Sequence, residues 1–187
     1  MNIGPRSSAV PIATPETVHA KLSQLGIEYV NHSHAPVMTV AESQALRGPL
    51  SGLHAKNLFL KDKKGGLWLV VVEECRTLDL KALRQRLGVA NLSFAKPDVL
   101  MAALGVTPGS VTPFAVINDD ARRVRVVLDK ALAEAEQANF HPLDNANTTT
   151  VSGAGLLIFL NALDHAPLVL DFTSPQSPPS SPGAREQ

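Results

Sequence analysis

The chain has 187 residues, 44% hydrophobic and 18% charged, with 17 basic against 17 acidic side chains and a formal net charge of zero. At about 100–200 residues per domain this suits one core and leaves no room for a second full domain, and the neutral balance excludes a global basic field, so any nucleic-acid partner must be held by a local patch. One cysteine and six scattered histidines exclude a disulfide framework and a Cys/His zinc array, and the longest apolar runs, 67–72 and 156–160, fall far short of a bilayer span of roughly 20 residues.

Residues 1–13, with Pro5 and Pro11 among small side chains, read as a loose lead-in. They lack the charged start and continuous apolar stretch of a signal peptide, so the lone thiol fits a reducing, cytoplasmic setting. Thr14-Pro15-Glu16 places a capping hydroxyl before an N1 proline and predicts a helix whose Val18, Leu22 and Leu25 share one face before Gly26 ends it. A short strand over 27–32 follows, then a helix of about two turns over 39–46, with Gly48 and Pro49 after it. Strands over 54–60 and 67–73 flank the turn-rich Lys61-Asp62-Lys63-Lys64-Gly65-Gly66 and predict a hairpin. Its second strand is apolar on both faces and therefore central. Helices are expected over 78–87, where Leu80, Leu83 and Leu87 repeat and Gly88 closes, and over 97–104, with Pro97 in the first turn. Strands over 114–117 and 124–128 around Asn118-Asp119-Asp120 predict a second hairpin, and further strands are expected over 138–141 and 148–151. An apolar helix over 154–163 and a last strand over 168–172 complete a folded unit spanning 14–172. Residues 173–187 crowd four prolines and four serines together without apolar periodicity and read as a disordered tail. Strands and helices are mixed but do not alternate strictly, which points to a mixed α/β sheet or barrel and away from a doubly wound parallel sheet.

Lys56 stands out by its position. On a strand over 54–60 it shares a face with Leu58 and Leu60, so its ammonium either snorkels out at the strand end, the commoner fate, or is held partly desolvated for chemistry. The segment from Gly105 to Pro113 sets two glycines and two prolines in nine residues after a helix. It is either an ordinary connection or a wall whose Gly109, Ser110 and Val111 N–H groups face a ligand, since glycine permits close backbone approach. His141 follows Phe140 at a strand end and opens a polar stretch to Thr150, either a turn satisfied by its own Asx bonds or a site wall. His32 and His34 share a strand face as a candidate metal pair, but no suitable third ligand is near in sequence. Cys75, placed after a buried strand, reads as a structural thiol. The basic clusters, Arg122, Arg123 and Arg125, then Lys61, Lys63 and Lys64, then Lys81, Arg84 and Arg86, are solvated faces by default.

Taken together, the run from His54 through Lys56, Asn57 and Leu60, the GxxxGxxxP pattern from Gly105 to Pro113, and Phe140-His141-Pro142 with Asn145, Thr148 and Thr149 resemble the YbaK/prolyl-tRNA synthetase editing-domain family. Within it the likeness is to the branch of free-standing, ProX-type Ala-tRNA(Pro) deacylases, and it covers about 14–172. The resemblance implies a mixed α/β fold with a mostly antiparallel, barrel-like sheet and surrounding helices. It implies an aminoacyl-tRNA hydrolase that removes alanine from mischarged Ala-tRNA(Pro) without metal or cofactor. Lys56 and Asn57 correspond to the family's catalytic motif, and Gly105, Gly109, Ser110, Val111, Pro113 and His141 to its substrate-binding walls. Lys61, Lys63, Lys64, Arg84 and Arg86 are the candidates to meet tRNA phosphates. The implied partners are the tRNA(Pro) acceptor end and prolyl-tRNA synthetase, with no membrane. Since the chain shows no aminoacylation or anchorage domain, editing in trans is expected. Two alternatives stay open: a Cys-tRNA(Pro) deacylase of the same family, and a non-catalytic RNA or aminoacyl-tRNA binding module on the same fold.

Overall fold

The computed structural model describes residues 11–35 and 50–173. The helix expected over 39–46, most of the lead-in and all but the first residue of the tail lie outside the described residues. Helix α1, Pro15–Gln24, starts where proline's fixed φ and missing N–H cost nothing, and the Thr14 N–H donates to Thr17 Oγ1 at 3.2 Å. It buries Val18 and Leu22 completely. Strand β1, Tyr29–Ser33, follows the Gly26 turn. Strands β2, Leu53–Asp62, and β3, Leu67–Glu73, form the expected hairpin, in register from Ala55↔Glu73 to Lys61↔Leu67. Its turn is held by Asp62, whose carboxylate accepts N–H bonds from Lys64 and Gly66 and, at 3.0 Å, from the Trp68 indole.

Helix α2, Leu80–Arg86, is capped by the Asp79 carboxylate, which accepts the Lys81 N–H at 2.7 Å. A three-residue strand absent from the sequence expectation, β4 at Leu92–Phe94, then pairs antiparallel with the end of β2. Helix α3, Pro97–Leu104, ends in left-handed Gly105. The second expected hairpin does not form. Pro113–Asn118 is a 3₁₀ helix, because Pro113 supplies no N–H to a ladder, Thr112 caps Phe114, and the consecutive Phe114, Ala115 and Val116 are buried all round rather than alternately. Strand β5, Val124–Asp129, instead runs parallel to β3. The short helix α4, Lys130–Ala133, leads to the antiparallel pair β6, Ala138–Phe140, and β7, Asn147–Val151. Helix α5, Gly153–Ala162, and strand β8, Leu168–Leu170, parallel to β5, close the order.

The strands form one mixed sheet in the order β1-β7-β6-β2-β3-β5-β8, with β4 beside β2. Among the described residues four pairings are antiparallel and three parallel. Strand β3 is buried from Leu67 to Val72 and divides two cores. Leu69 and Val71 join Leu22, Phe114, Leu156 and Phe159 on one side, while Trp68, Val70 and Val72 join Leu60 and Leu83 on the other. Burial on both faces explains its unbroken apolar run.

The edge of β2 away from β3 is shared. Strand β6 pairs with it only at Leu53 and His54, and β4 only from Leu60 to Asp62, with the Ala95 N–H reaching the Phe59 carbonyl. Residues 55–58 therefore face no strand on that edge among the described residues.

Candidate active site

Lys56 and Asn57 fall on this uncovered stretch and, as neighbours on a strand, point to opposite faces. Lys56 shares the face of Leu58 and Leu60, as its spacing predicts, and its Nζ donates to the Arg76 carbonyl in the turn after β3. That turn is held in place by charge. Arg76 Nε donates to Asp129 Oδ2 at 2.9 Å and lies 3.9 Å from Glu73. Asp129 is 1% exposed and also accepts the N–H groups of Glu73 and Ala131, so a buried carboxylate fixes the arginine whose carbonyl orients the lysine. Nothing in the sequence links Arg76 to Asp129, 53 positions apart.

Asn57 lies on the face of Ala55 and Phe59, toward the larger core. Its Oδ1 is buried without a hydrogen-bond partner among the described residues. A buried acceptor left unmade costs about 1–3 kcal/mol, so an orphan beside this strand edge makes Asn57 a candidate to receive a donor from outside the described residues.

The glycine segment lies on the Asn57 side, where Val106 and Val111 join the core that holds Ala55, Phe59, Phe140 and Leu143. Gly105 has φ +67°, its N–H donates to the Met101 carbonyl, and a Cβ there would stand 3.0 Å from Ile12 and 3.1 Å from Asn118. Gly109 has φ +94° with open space around it. The buried Ser110 corrects one expectation, since its N–H is taken by the Thr107 carbonyl at 3.0 Å and does not face a ligand. Pro113 is buried at the start of the 3₁₀ helix.

His141 follows the last residue of β6. Its Nδ1 must be the donor in its 3.0 Å bond to the Asn147 carbonyl, which in the neutral ring leaves Nε2 bare. The loop beyond is braced by Asp144, which accepts from Ala146 N–H and from the Asn147 amide, and Leu143 adopts φ +81°. The parallel β2–β6 ladder pairs Leu53 with Ala138 and His54 with Asn139 and ends there, and position 141 follows two residues beyond it on β6's side as Lys56 does on β2's. Lys56 thus lies on one face of β2, and Asn57 on the other, facing the core that Val106 and Val111 of the glycine segment join.

The basic candidates separate into two kinds. Lys61, Lys63 and Lys64 are exposed around the hairpin turn. Arg84 and Arg86 are tied into the fold: Arg84 Nη1 donates to the Ala90 carbonyl, and Arg86 Nη1 donates to the Asp171 carbonyl at 2.8 Å with its guanidinium 5.2 Å from the Phe172 ring centroid. His34 bonds Thr148 Oγ1 and the Ala35 carbonyl, and no group of three or more metal-ligating side chains occurs among the described residues. Cys75 is exposed rather than structural, and Glu73, by hydrogen bond and by charge, pushes its thiol up, away from a nucleophilic thiolate. A groove of about 910 Å³ beside β1 and α5, lined by Glu28, Tyr29, Gln137 and Ser152 among others, includes none of the predicted site residues. No helix among the described residues is long and apolar enough to cross a membrane.

Comparison with known proteins places these features in a family. Residues 34–159 match the model of the aminoacyl-tRNA editing domain. The chain is 38% identical over 168 residues to prolyl-tRNA synthetase associated domain-containing protein 1 of Danio rerio, covering 89% of this chain and 91% of that protein. It is 40% identical over 138 residues to the prolyl-tRNA editing protein ProX of Acetoanaerobium sticklandii, covering 73% and 84%. Among solved structures, the hypothetical protein APE2540 superposes with a TM-score of 0.67 at 21% identity, covering 82% of this chain and 97% of that one. A candidate trans-editing enzyme for prolyl tRNA synthetase gives 0.65 at 20% identity, covering 90% and 100%. At these identities the structural likeness speaks for the fold alone.

Proposed function

The chain belongs to the aminoacyl-tRNA editing-domain family, and from that premise we propose that it is a trans-editing deacylase that hydrolyses mischarged Ala-tRNA(Pro) to alanine and tRNA(Pro). The observation that carries the site assignment is the orphaned Asn57 Oδ1 next to Lys56 on the uncovered stretch of β2. A strand interior that offers an unfilled acceptor and an oriented ammonium on adjacent residues is prepared for a polar, anionic ligand. The terminal aminoacyl-adenosine fits that description, with its phosphate, its ester carbonyl and its free amino group.

In this reading water attacks the ester carbonyl carbon, the carbon–oxygen bond to the ribose breaks, and the ribose oxygen leaves as a hydroxyl with a proton from the water. Lys56 stabilises negative charge at the carbonyl oxygen or the terminal phosphate, at a position the Arg76 carbonyl has already set. Asn57 Oδ1 accepts from the substrate's amino group or a ribose hydroxyl. Gly105, Gly109, Ser110, Val111 and Pro113 form a wall against the amino-acid side chain, and His141 closes the other flank. The apolar Ala55, Val106 and Val111 on this side suit a methyl group better than a hydroxyl or thiol.

Selectivity follows from size. A synthetase pocket that accepts proline cannot strongly reject a smaller side chain, because a missing methylene is worth only about 1–3 kcal/mol, so a second sieve must remove what is small enough to enter it. Time courses on Ala-, Cys- and Pro-tRNA(Pro) at equal concentration test the reading: alanine should be released much faster than proline. Similar rates for alanine and proline would contradict a size sieve, a strong preference for cysteine would move the chain to that branch of the family, and binding without turnover would leave a non-catalytic module.

A further inference from the structure

We propose that Phe94 on β4, with Lys63, Lys64 and Lys96 at the same corner of the sheet, is a stacking platform for the unpaired 3′ end of the tRNA upstream of the terminal adenosine. This deepens the deacylase reading and rests on it. Phe94 stands opposite Leu60 in the β2–β4 ladder, and the two differ sharply: Leu60 is 0% exposed and Phe94 65% exposed. The strand's inward position is already filled by Leu92, so the Phe94 ring contributes little to the core.

The surroundings give this aromatic a charge. Lys63 and Lys64 lie in the hairpin turn and Lys96 sits two residues beyond Phe94, just before α3, while Lys61, opposite Ser93, adds its charge on the other face of the strand. All four are exposed, and none of their side-chain ammoniums makes a hydrogen bond or ion pair among the described residues. Among the other described residues the arginines are engaged, Arg76, Arg122 and Arg123 in salt bridges, Arg84 and Arg86 with carbonyls and Arg125 over Trp68, while Lys81 on α2 stands alone. The hairpin's own carboxylate, Asp62, is turned inward onto Trp68 and two backbone N–H groups, which leaves Asp98 in the first turn of α3 as the acidic side chain of this corner. An exposed ring within uncompensated lysines is the combination that holds single-stranded nucleic acid, the ring taking a base and the lysines the phosphates.

Position supplies the link to the site. Lys56 and Leu60 share one face of β2 four residues apart, ~13 Å at ~3.3 Å per residue, a distance spanned by about four stacked nucleotides at ~3.4 Å each. A strand whose terminal ester lies at Lys56 therefore passes Phe94 within its last few nucleotides.

The test compares wild type, Phe94→Ala and Phe94→Tyr on two substrates, mischarged Ala-tRNA(Pro) and 3′-O-alanyl-adenosine, which carries the ester but no upstream nucleotides. Phe94→Ala should lower kcat/KM about tenfold on the tRNA, the loss of one stacked base, leave alanyl-adenosine unchanged, and be rescued by Phe94→Tyr. An equal loss on both substrates, or no loss on the tRNA, overturns the platform, as does a change in oligomeric state by size exclusion without a change on the tRNA. A second measurement needs no hydrolysis: titration of a labelled ACCA ribonucleotide should show binding about tenfold weaker in Phe94→Ala. If wild type cleaves neither ester but tetranucleotide binding still depends on Phe94, the deacylase reading fails and the platform stands; if binding ignores Phe94, the platform fails.

Discussion

Lys56 and Asp62 sit on the same strand and illustrate how differently a charge is used six positions apart. Lys56→Ala should lower deacylation ~100-fold or more, the scale of a lost charge stabiliser, while the fold persists, because the partner it leaves is a carbonyl in a half-exposed turn that water can reach. Circular dichroism with single-turnover rates reads both, and wild-type turnover in the folded variant would remove the residue from the mechanism. Asp62 acts on stability instead. Burial would raise its carboxyl, but the bonds from the Trp68 indole and the Gly66 and Lys64 N–H groups outweigh that, with the Arg125 charge adding to them, and hold it below the usual carboxylate range. A depressed folded pKa gives stability that is present above the unfolded pKa and is lost as pH falls through the folded one. Asp62→Asn should therefore cost about 2 kcal/mol at neutral pH, from the lost charge-assisted bonds, and flatten the acid limb of a melting-temperature profile. Parallel acid limbs in variant and wild type would refute this.

Gly52 sets how β2 meets β6. With φ +96° and an added Cβ only 2.6 Å from the Gln137 carbonyl, Gly52→Ala would force the two strands apart where Leu53 and His54 join Ala138 and Asn139. Gly109, with φ +94° but open space, would suffer strain alone, about 1–2 kcal/mol. Thermal melts and deacylation rates should rank Gly52→Ala as the more damaging on both counts; equal melting shifts would mean the junction yields. Elements carrying both periodicity and punctuation were legible from the sequence: Pro97–Leu104 has a proline in its first turn and a glycine after its last, and Leu67–Glu73 is apolar throughout between turns. Residues 113–118 were not, because a short apolar run does not by itself tell a strand from a buried helical turn. Strand β4 is too short for a pattern, and the parallel partnership of β5 with β3 joins segments more than fifty residues apart. The site divides in the same way. Lys56 is conspicuous as a charge on an apolar face, whereas the Arg76–Asp129 brace and the orphan on Asn57 exist only once distant segments meet.

A formal charge of zero conceals an uneven distribution: among the described residues the arginines are engaged by the fold, and four of the lysines gather at the hairpin and the start of α3. Binding of tRNA should accordingly fall with salt, but gently. About two to five phosphate contacts give a slope of roughly −2 to −4 in log affinity against log salt, measurable by filter binding between low and physiological ionic strength. A flat dependence would deny the lysines their role, and a much steeper one would require a larger basic surface than the described residues offer. The uncovered stretch of β2 carries one further consequence. Bare strand edges recruit other chains, and a protein that must keep one open runs the hazard of edge-to-edge aggregation. Here β6 and β4 flank a window of only four residues, ~13 Å of backbone at ~3.3 Å per residue, too short to template an intruding strand of usual length. The aperture proposed to admit the tip of a nucleic acid is thus narrow enough to disfavour polymerisation through it.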